Sequence, residues 1–220
     1  MTTANTGPFP RIFFQFLVEL KFNNERAWFQ QNKARYEAQV KGPFQDFVKR
    51  LLPGVTRINP SYTHTKVFRA YRDTRFAKDK SPYKTHVAAQ FRHRVTLGDV
   101  HAPGFYLHLE PGESFAAAGI WMPVPEALAS IRKRIARRDP AWIRLRHSKL
   151  PLSNENTLKR PPKGYSPEHP LLEDLKRRNF ITWVDFTDQE AAQMDFSKRV
   201  LAAFRKANPL ICFLNRAMGL

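Results

Sequence analysis

Residues 104–121, "GFYLHLEPGESFAAAGIW", decide the fold. Apolar and polar side chains tend to alternate through this stretch, and a period of two is the mark of a strand with one buried side. "EPGES", 110–114, sets Pro111 and Gly112 at its centre. It reads as a hairpin turn joining "FYLHL" to "FAAAGIW". The same period runs upstream through "HTKVFRAYRD" (64–73) and "KTHVAAQFRHRV" (84–95), where Val87, Ala89, Phe91 and His93 share one strand side. The middle of the chain is therefore expected to be an antiparallel sheet.

Outside that stretch the period changes to helical. "FPRIFFQFLVEL" reads as a short buried helix, and Asn24 as the N-cap of a second, "ERAWFQQNKARYEAQV". Gly42-Pro43 interrupts it, and Phe44, Phe47, Val48 and Leu51 resume helical spacing up to Pro53-Gly54. After the sheet, "PVPEALASIRKRIARRD" turns Leu128, Ile131 and Ile135 inward. Residues 149–170 form a proline-rich irregular arm, followed by a short helix in "PLLEDLKRRN" and a strand in "FITWVDF". Thr187 to Glu190 spells a capping box for a long helix reaching Ala207, and Pro209 restarts a terminal one. The expectation is one α+β domain over 1–220, with N-terminal helices at 9–52, a central sheet and motif loop at 62–122, helices and the arm at 123–179, and a C-terminal strand and helices at 180–220.

Eighteen Phe and four Trp among 220 residues supply a sizeable core. The net charge of +18 is spread along the chain and does not form a basic tail, so the expected partner is an anion. Cys212, the lone cysteine, rules out an intramolecular disulfide; its apolar neighbours point to a buried, inert thiol and the chain to a cytoplasmic setting. "IFFQFLVEL" is broken by Gln15 and Glu19 and lacks a small-residue cleavage site, so neither a signal peptide nor a membrane span is expected.

The densest chemistry lies in "RDTRFAKDKSPYK", 72–84. From Arg69 to Lys84 six basic residues face two acidic ones. Asp79, Ser81 and Pro82 favour a loop, and two aspartates cannot neutralise six cations. The run Arg-Asp-x-Arg-Phe-x-Lys-Asp-Lys-x-Pro-Tyr-Lys resembles the signature of a widespread bacterial and fungal family classed as domain of unknown function 2461. The resemblance extends to "NNERAWF", the small residues before Trp121, Arg132, "LKRPPKGY" and His169-Pro170. It implies an α+β domain and brings no activity with it. Two departures stand out: Ala77 replaces a usual serine, and Ala116 to Ala118 replace a stretch often rich in glycine.

The leading expectation is a site for a phosphate-bearing anion, nucleic acid foremost, at Arg69, Arg72, Arg75, Lys78, Lys80 and Lys84. A guanidinium fork suits such oxygens bidentately. Arg132 in the helix after the sheet, and Lys159, Arg160 and Lys163 beside Tyr165 in the arm, are auxiliary anion contacts. One alternative is an enzyme acting on a small phosphorylated or carboxylated metabolite, with Asp73 or Asp79 as acid/base and Tyr83 and His86 beside it. Its pocket is expected between the motif loop and the Ala116–Trp121 hairpin. Another is an ion network of Arg72, Asp73, Arg75 and Asp79 that only fixes the loop. No phosphate-loop, dinucleotide or nucleophile-elbow motif is present. The seven histidines lack H-x-H or H-E-x-x-H spacing. His108 and Glu110 sharing a strand face is a weak signal, so no metal and no cofactor are expected.

Overall fold

The alternating stretches become a five-stranded antiparallel sheet in the computed structural model, which describes residues 7–75, 78–99 and 101–220. The strands lie in chain order: β1 (Tyr62–Val67), β2 (Val87–His93), β3 (Gly104–Leu109), β4 (Ser114–Ile120) and β5 (Phe180–Phe186). Ala89 stands opposite Leu107, and Phe105 opposite Ala118. One face therefore collects Ala89, Phe91, Phe105, Leu107, Ala116 and Ala118, all buried in the main core. The other face carries Gln90, Tyr106, His108, Phe115, Ala117 and Trp183 in the alternate positions. At Gly119 (φ +141°) β5 comes so near that a Cβ would stand 1.9 Å from the carbonyl oxygen of Phe180.

Helices cover the core face. The N-terminal layer is α1 (Arg11–Phe22), α2 (Arg26–Gln31), α3 (Lys33–Tyr36), a π-helical turn at Glu37–Lys41 and α4 (Gly42–Ile58), the last lying on β1 and β2. After β4 come α5 (Pro125–Ala136), α6 (Pro140–His147) and α7 (Leu172–Leu175). After β5 come α8 (Asp188–Ala191) and α9 (Phe196–Ala217), and α9 crosses β4. Phe204, Ala207 and Ile211 of α9 enter the main core, while Leu210, Phe213 and Leu214 enter a second cluster with Trp142 and Phe180. In that cluster the buried Asp174 accepts from Trp142 Nε1 at 3.0 Å and pairs with Arg177 at 3.3 Å. Among the described residues, no helix is long and apolar enough to cross a membrane.

Several local expectations need correction. The helix placed at 42–52 continues through Pro53 to Ile58, and α9 continues through Pro209. Both prolines face solvent, so the hydrogen bond each omits lies on the wet side while the buried stripe carries on. The capping box at Thr187–Glu190 is present, yet it opens only the four-residue α8. Glu25, not Asn24, precedes α2 in the N-cap position. β1 stops at Val67, short of the 64–73 alternation, and β5 extends the same sheet rather than standing apart from it. Cys212 is half-buried and its thiol donates to Asn208 Oδ1 at 3.7 Å.

Candidate functional site

The motif run leaves β1 and returns to β2 as a stalked loop. Tyr71 and Tyr83 form an isolated antiparallel bridge, flanked by Arg72 N–H donating to the Pro82 carbonyl (2.9 Å) and Lys84 N–H donating to the Ala70 carbonyl (2.8 Å). Asn24 locks the stalk. Its side-chain amide donates to the Tyr83 carbonyl (2.9 Å) and its Oδ1 accepts from Tyr83 N–H (3.0 Å). That task explains why Asn24 does not cap a helix. It also ties "NNERAWF" physically to the distant motif.

Within the loop the aspartates answer the arginines. Arg72 pairs with Asp79 at 2.5 Å, and Arg75 grips Asp73 with Nε at 3.0 Å and Nη2 at 2.7 Å. That double hydrogen bond holds the Asp73 carboxyl down at about 2. Lys80 donates to the Thr74 carbonyl at 3.0 Å, and Lys78 is exposed. Phe76 and Ala77 lie outside the described residues. Tyr83 is buried and stacked on Phe29 at 3.9 Å, so its ring belongs to the core.

Lys84, at the end of the motif, joins cations from outside it. Lys66, Arg69 and Lys84, with Lys41, line a cleft of about 550 Å³ between β1, the stalk and the N-terminal helices. Its other walls include Tyr36, Phe44, Phe68 and Tyr71, and among the described residues no carboxylate lines it. Lys41 is paired with Glu37 at 2.8 Å; among the described residues Lys66, Arg69 and Lys84 form no ion pair. Lys84 Nζ sits 5.4 Å above the Phe68 ring. Burial pushes its pKa below the usual lysine value, and the neighbouring Arg69 and Arg72 push it further.

Phe68 also walls a second cleft. This groove, about 770 Å³, runs over the face of the sheet opposite the main core. Gly104, Ala117 and Gly119 give it a low floor, and Tyr106, Phe115, Trp121 and Trp183 its aromatic sides. Among the described residues its charged lining is acidic: Glu113, Glu155 and Asp185, with no Lys or Arg. It is bounded by the strand end next to the motif and by the Ala117–Trp121 segment.

Next to the groove's Tyr106 and Phe115 stand His86, His108 and Glu110. Ala88 pairs with His108 and Val87 with Leu109, so His86 continues the ladder towards Glu110. His108 Nε2 lies 3.1 Å and His86 Nδ1 3.6 Å from the same Glu110 Oε2. The Thr85 hydroxyl donates to the other oxygen at 2.6 Å. The His108 ring stacks on Phe115 at 4.7 Å, and its Nδ1 is 3.4 Å from the Tyr106 hydroxyl. Hydrogen bonds from His108, then His86, hold Glu110 far below the ordinary carboxylate pKa, while burial lowers that of His108 and pushes the Tyr106 phenol up to about 12.

The expected site residues thus fall into separate groups. Arg69 and Lys84 share a cleft, while Arg72, Asp73, Arg75 and Asp79 pair among themselves. His86, assigned beside Asp73 or Asp79, meets His108 and Glu110 instead. Arg132 donates to the Leu175 carbonyl (2.8 Å) and the Arg177 carbonyl (3.1 Å), closing the end of α7. Lys159, Arg160 and Lys163 are exposed in the arm, and Tyr165 packs against the second apolar cluster. Lys66, Thr85, Tyr106, His108 and Glu110 went unassigned by sequence reasoning, although the shared parity of His108 and Glu110 marked one side of the triad.

A family model described as conserved hypothetical protein (DUF2461) matches residues 12–213, and the chain belongs to that family. No curated protein and no solved structure matches it.

Proposed function

We propose that this member of the family binds a small phosphate- or carboxylate-bearing molecule in the cleft of Lys66, Arg69 and Lys84. The observation that carries the reading is the sign imbalance there: among the described residues, three cations without ion pairs face a cleft that no carboxylate lines. An anion placed between them offsets their mutual repulsion, including the pressure that depresses the Lys84 pKa. The volume, about 550 Å³, falls in the usual range for small-molecule sites, and Phe68 and Tyr71 offer ring faces to an organic body. Arg72 and Arg75 contribute less, since an incoming anion must compete with Asp79 and Asp73.

Calorimetric titration with pyrophosphate and nucleoside monophosphates, and separately with oligonucleotides across several salt concentrations, tests this. Saturable binding of the small phosphates, weakened about 10- to 100-fold by Lys84→Ala, is expected, since a charge-assisted hydrogen bond contributes about 1.5–3 kcal/mol. A log K against log salt slope near −0.9 for each of many phosphates on a duplex would point instead to nucleic acid as the ligand. Unchanged affinity in Lys84→Ala combined with Arg69→Ala contradicts the assignment.

A further inference from the structure

We propose that His86, His108 and Glu110 form a binding site for a divalent transition-metal ion beside the acidic, aromatic groove, against its Tyr106 and Phe115. The donors come from the ends of adjacent antiparallel strands: His108 is on β3, Glu110 follows just after its end, and His86 stands across from them just before β2. One donor atom from each residue lies within 4.8 Å of the others, with His108 Nε2 and His86 Nδ1 both directed at Glu110 Oε2. Bonds of about 2.0–2.2 Å to a common tetrahedral ion set donors about 3.4 Å apart. The pairs of 3.1 Å and 3.6 Å already bracket that spacing, and the two imidazole nitrogens reach it by closing on each other.

An ordinary ion pair explains this arrangement poorly. His108 at 3.1 Å and the Thr85 hydroxyl already give each Glu110 oxygen one hydrogen bond. The second imidazole is brought to the same oxygen, its ring centroid 4.2 Å from that of His108, where two protonated rings would repel. Two neutral imidazoles and one carboxylate converging on a point are a nitrogen–oxygen donor set suited to zinc or ferrous iron rather than magnesium or calcium. The surroundings resemble those that orient metal ligands: the Tyr106 hydroxyl lies beside His108 Nδ1, and the Thr85 hydroxyl holds the non-shared carboxylate oxygen. Local charge agrees. In a chain of net charge +18 the adjoining groove is lined, among the described residues, by Glu113, Asp185 and Glu155 and by no Lys or Arg.

Three protein ligands leave coordination positions for water or for an oxygen of a groove-bound molecule, the pattern of a catalytic rather than a purely structural ion. The low floor at Gly104, Ala117 and Gly119 and the Tyr106, Phe115 and Trp183 rings suit a flat, largely apolar molecule that presents such an oxygen. This site uses none of the residues of the basic cleft, and it stands or falls separately from the anion reading.

The test is titration of the full-length, chelator-treated protein with Co²⁺, read by visible absorption, followed by displacement with Zn²⁺. One equivalent is expected to bind, with absorption bands of a low-symmetry nitrogen–oxygen site and a raised melting temperature. Glu110→Gln and His108→Ala are expected to weaken binding about 100-fold or more. If either fails to fold, His86→Ala carries the test, because that side chain is 25% exposed and its removal leaves the core intact. A wild-type protein that takes up no Co²⁺, or a folded His86→Ala that binds it with the same affinity and spectrum, overturns the proposal.

Discussion

The two clefts that share Phe68 are opposite in character. Among the described residues, Lys66, Arg69 and Lys84 border a space without a carboxylate on one side, and Glu113, Glu155 and Asp185 border a space without Lys or Arg on the other. The chain as a whole is strongly basic, so its net charge describes the first cleft and misdescribes the second. Net charge sets the far field, while the sign of the nearest few groups sets what can bind. The motif loop teaches the same lesson at shorter range. It holds the densest charge in the sequence, yet its two aspartates sit on Arg72 and Arg75, and the cations left over are split between the exposed Lys78 and Lys80 and the stalk's Lys84.

If the clefts are rigid features of one sheet, damage beneath the sheet should affect both. Leu107 is fully buried beneath the sheet, and Leu107→Ala is expected to lower stability by about 2–5 kcal/mol in urea denaturation. Both binding functions should persist in whatever fraction remains folded. A smaller loss, roughly 2 kcal/mol or more, is expected for Gly119→Ala, where the new methyl meets the Phe180 backbone and the positive φ is strained. That change lifts β5 from the groove and should spare the basic cleft, which β5 does not border.

Substitutions within each cleft should separate the two. Lys84→Ala should cost about 10- to 100-fold in phosphate affinity while leaving metal uptake within about twofold, and Glu110→Gln should do the reverse. Calorimetry of both variants with both probes checks this, and loss of both functions in either variant would mean that the clefts are one site.

The smallest expected effect concerns the loop. The Asp73 carboxyl lies near 2 through its hydrogen bonds from Arg75, against an ordinary value near 3.9. A depressed carboxylate contributes in full above the unfolded value and loses its contribution as pH falls through the folded one, so the Asp73–Arg75 contact should loosen only between about pH 4 and pH 2. Titration of the Asp73 carboxyl carbon by NMR reads this directly. Because the pair is exposed, Asp73→Asn should barely move the melting temperature.

How much of this was legible in the residues depends on range. The period of two between Val87 and Ile120 exposed the sheet, because alternation is written in consecutive positions. Pro53 and Pro209 misled because a proline on the wet side of a helix costs one bond without ending the buried stripe. The motif advertised charge, which is local, but not the pairing of that charge, which depends on how the loop closes. The His86–Glu110 relation was hidden for a related reason. The two residues are separated by the length of two strands, and only the Ala88–His108 register brings them face to face. Asn24 shows the same limit: its partner, the Tyr83 backbone, is 59 residues away.

Backbone amide NMR on the ¹⁵N-labelled full chain, titrated with pyrophosphate in one sample and Zn²⁺ in another, addresses the opposition of the two clefts most directly. The account predicts two nearly disjoint sets of shifted resonances, pyrophosphate moving 66–71 and Lys84, and Zn²⁺ moving His86, His108, Glu110 and their strand neighbours. Pyrophosphate shifts centred on Arg72 to Lys80, or a single set of residues answering to both ions, would contradict it.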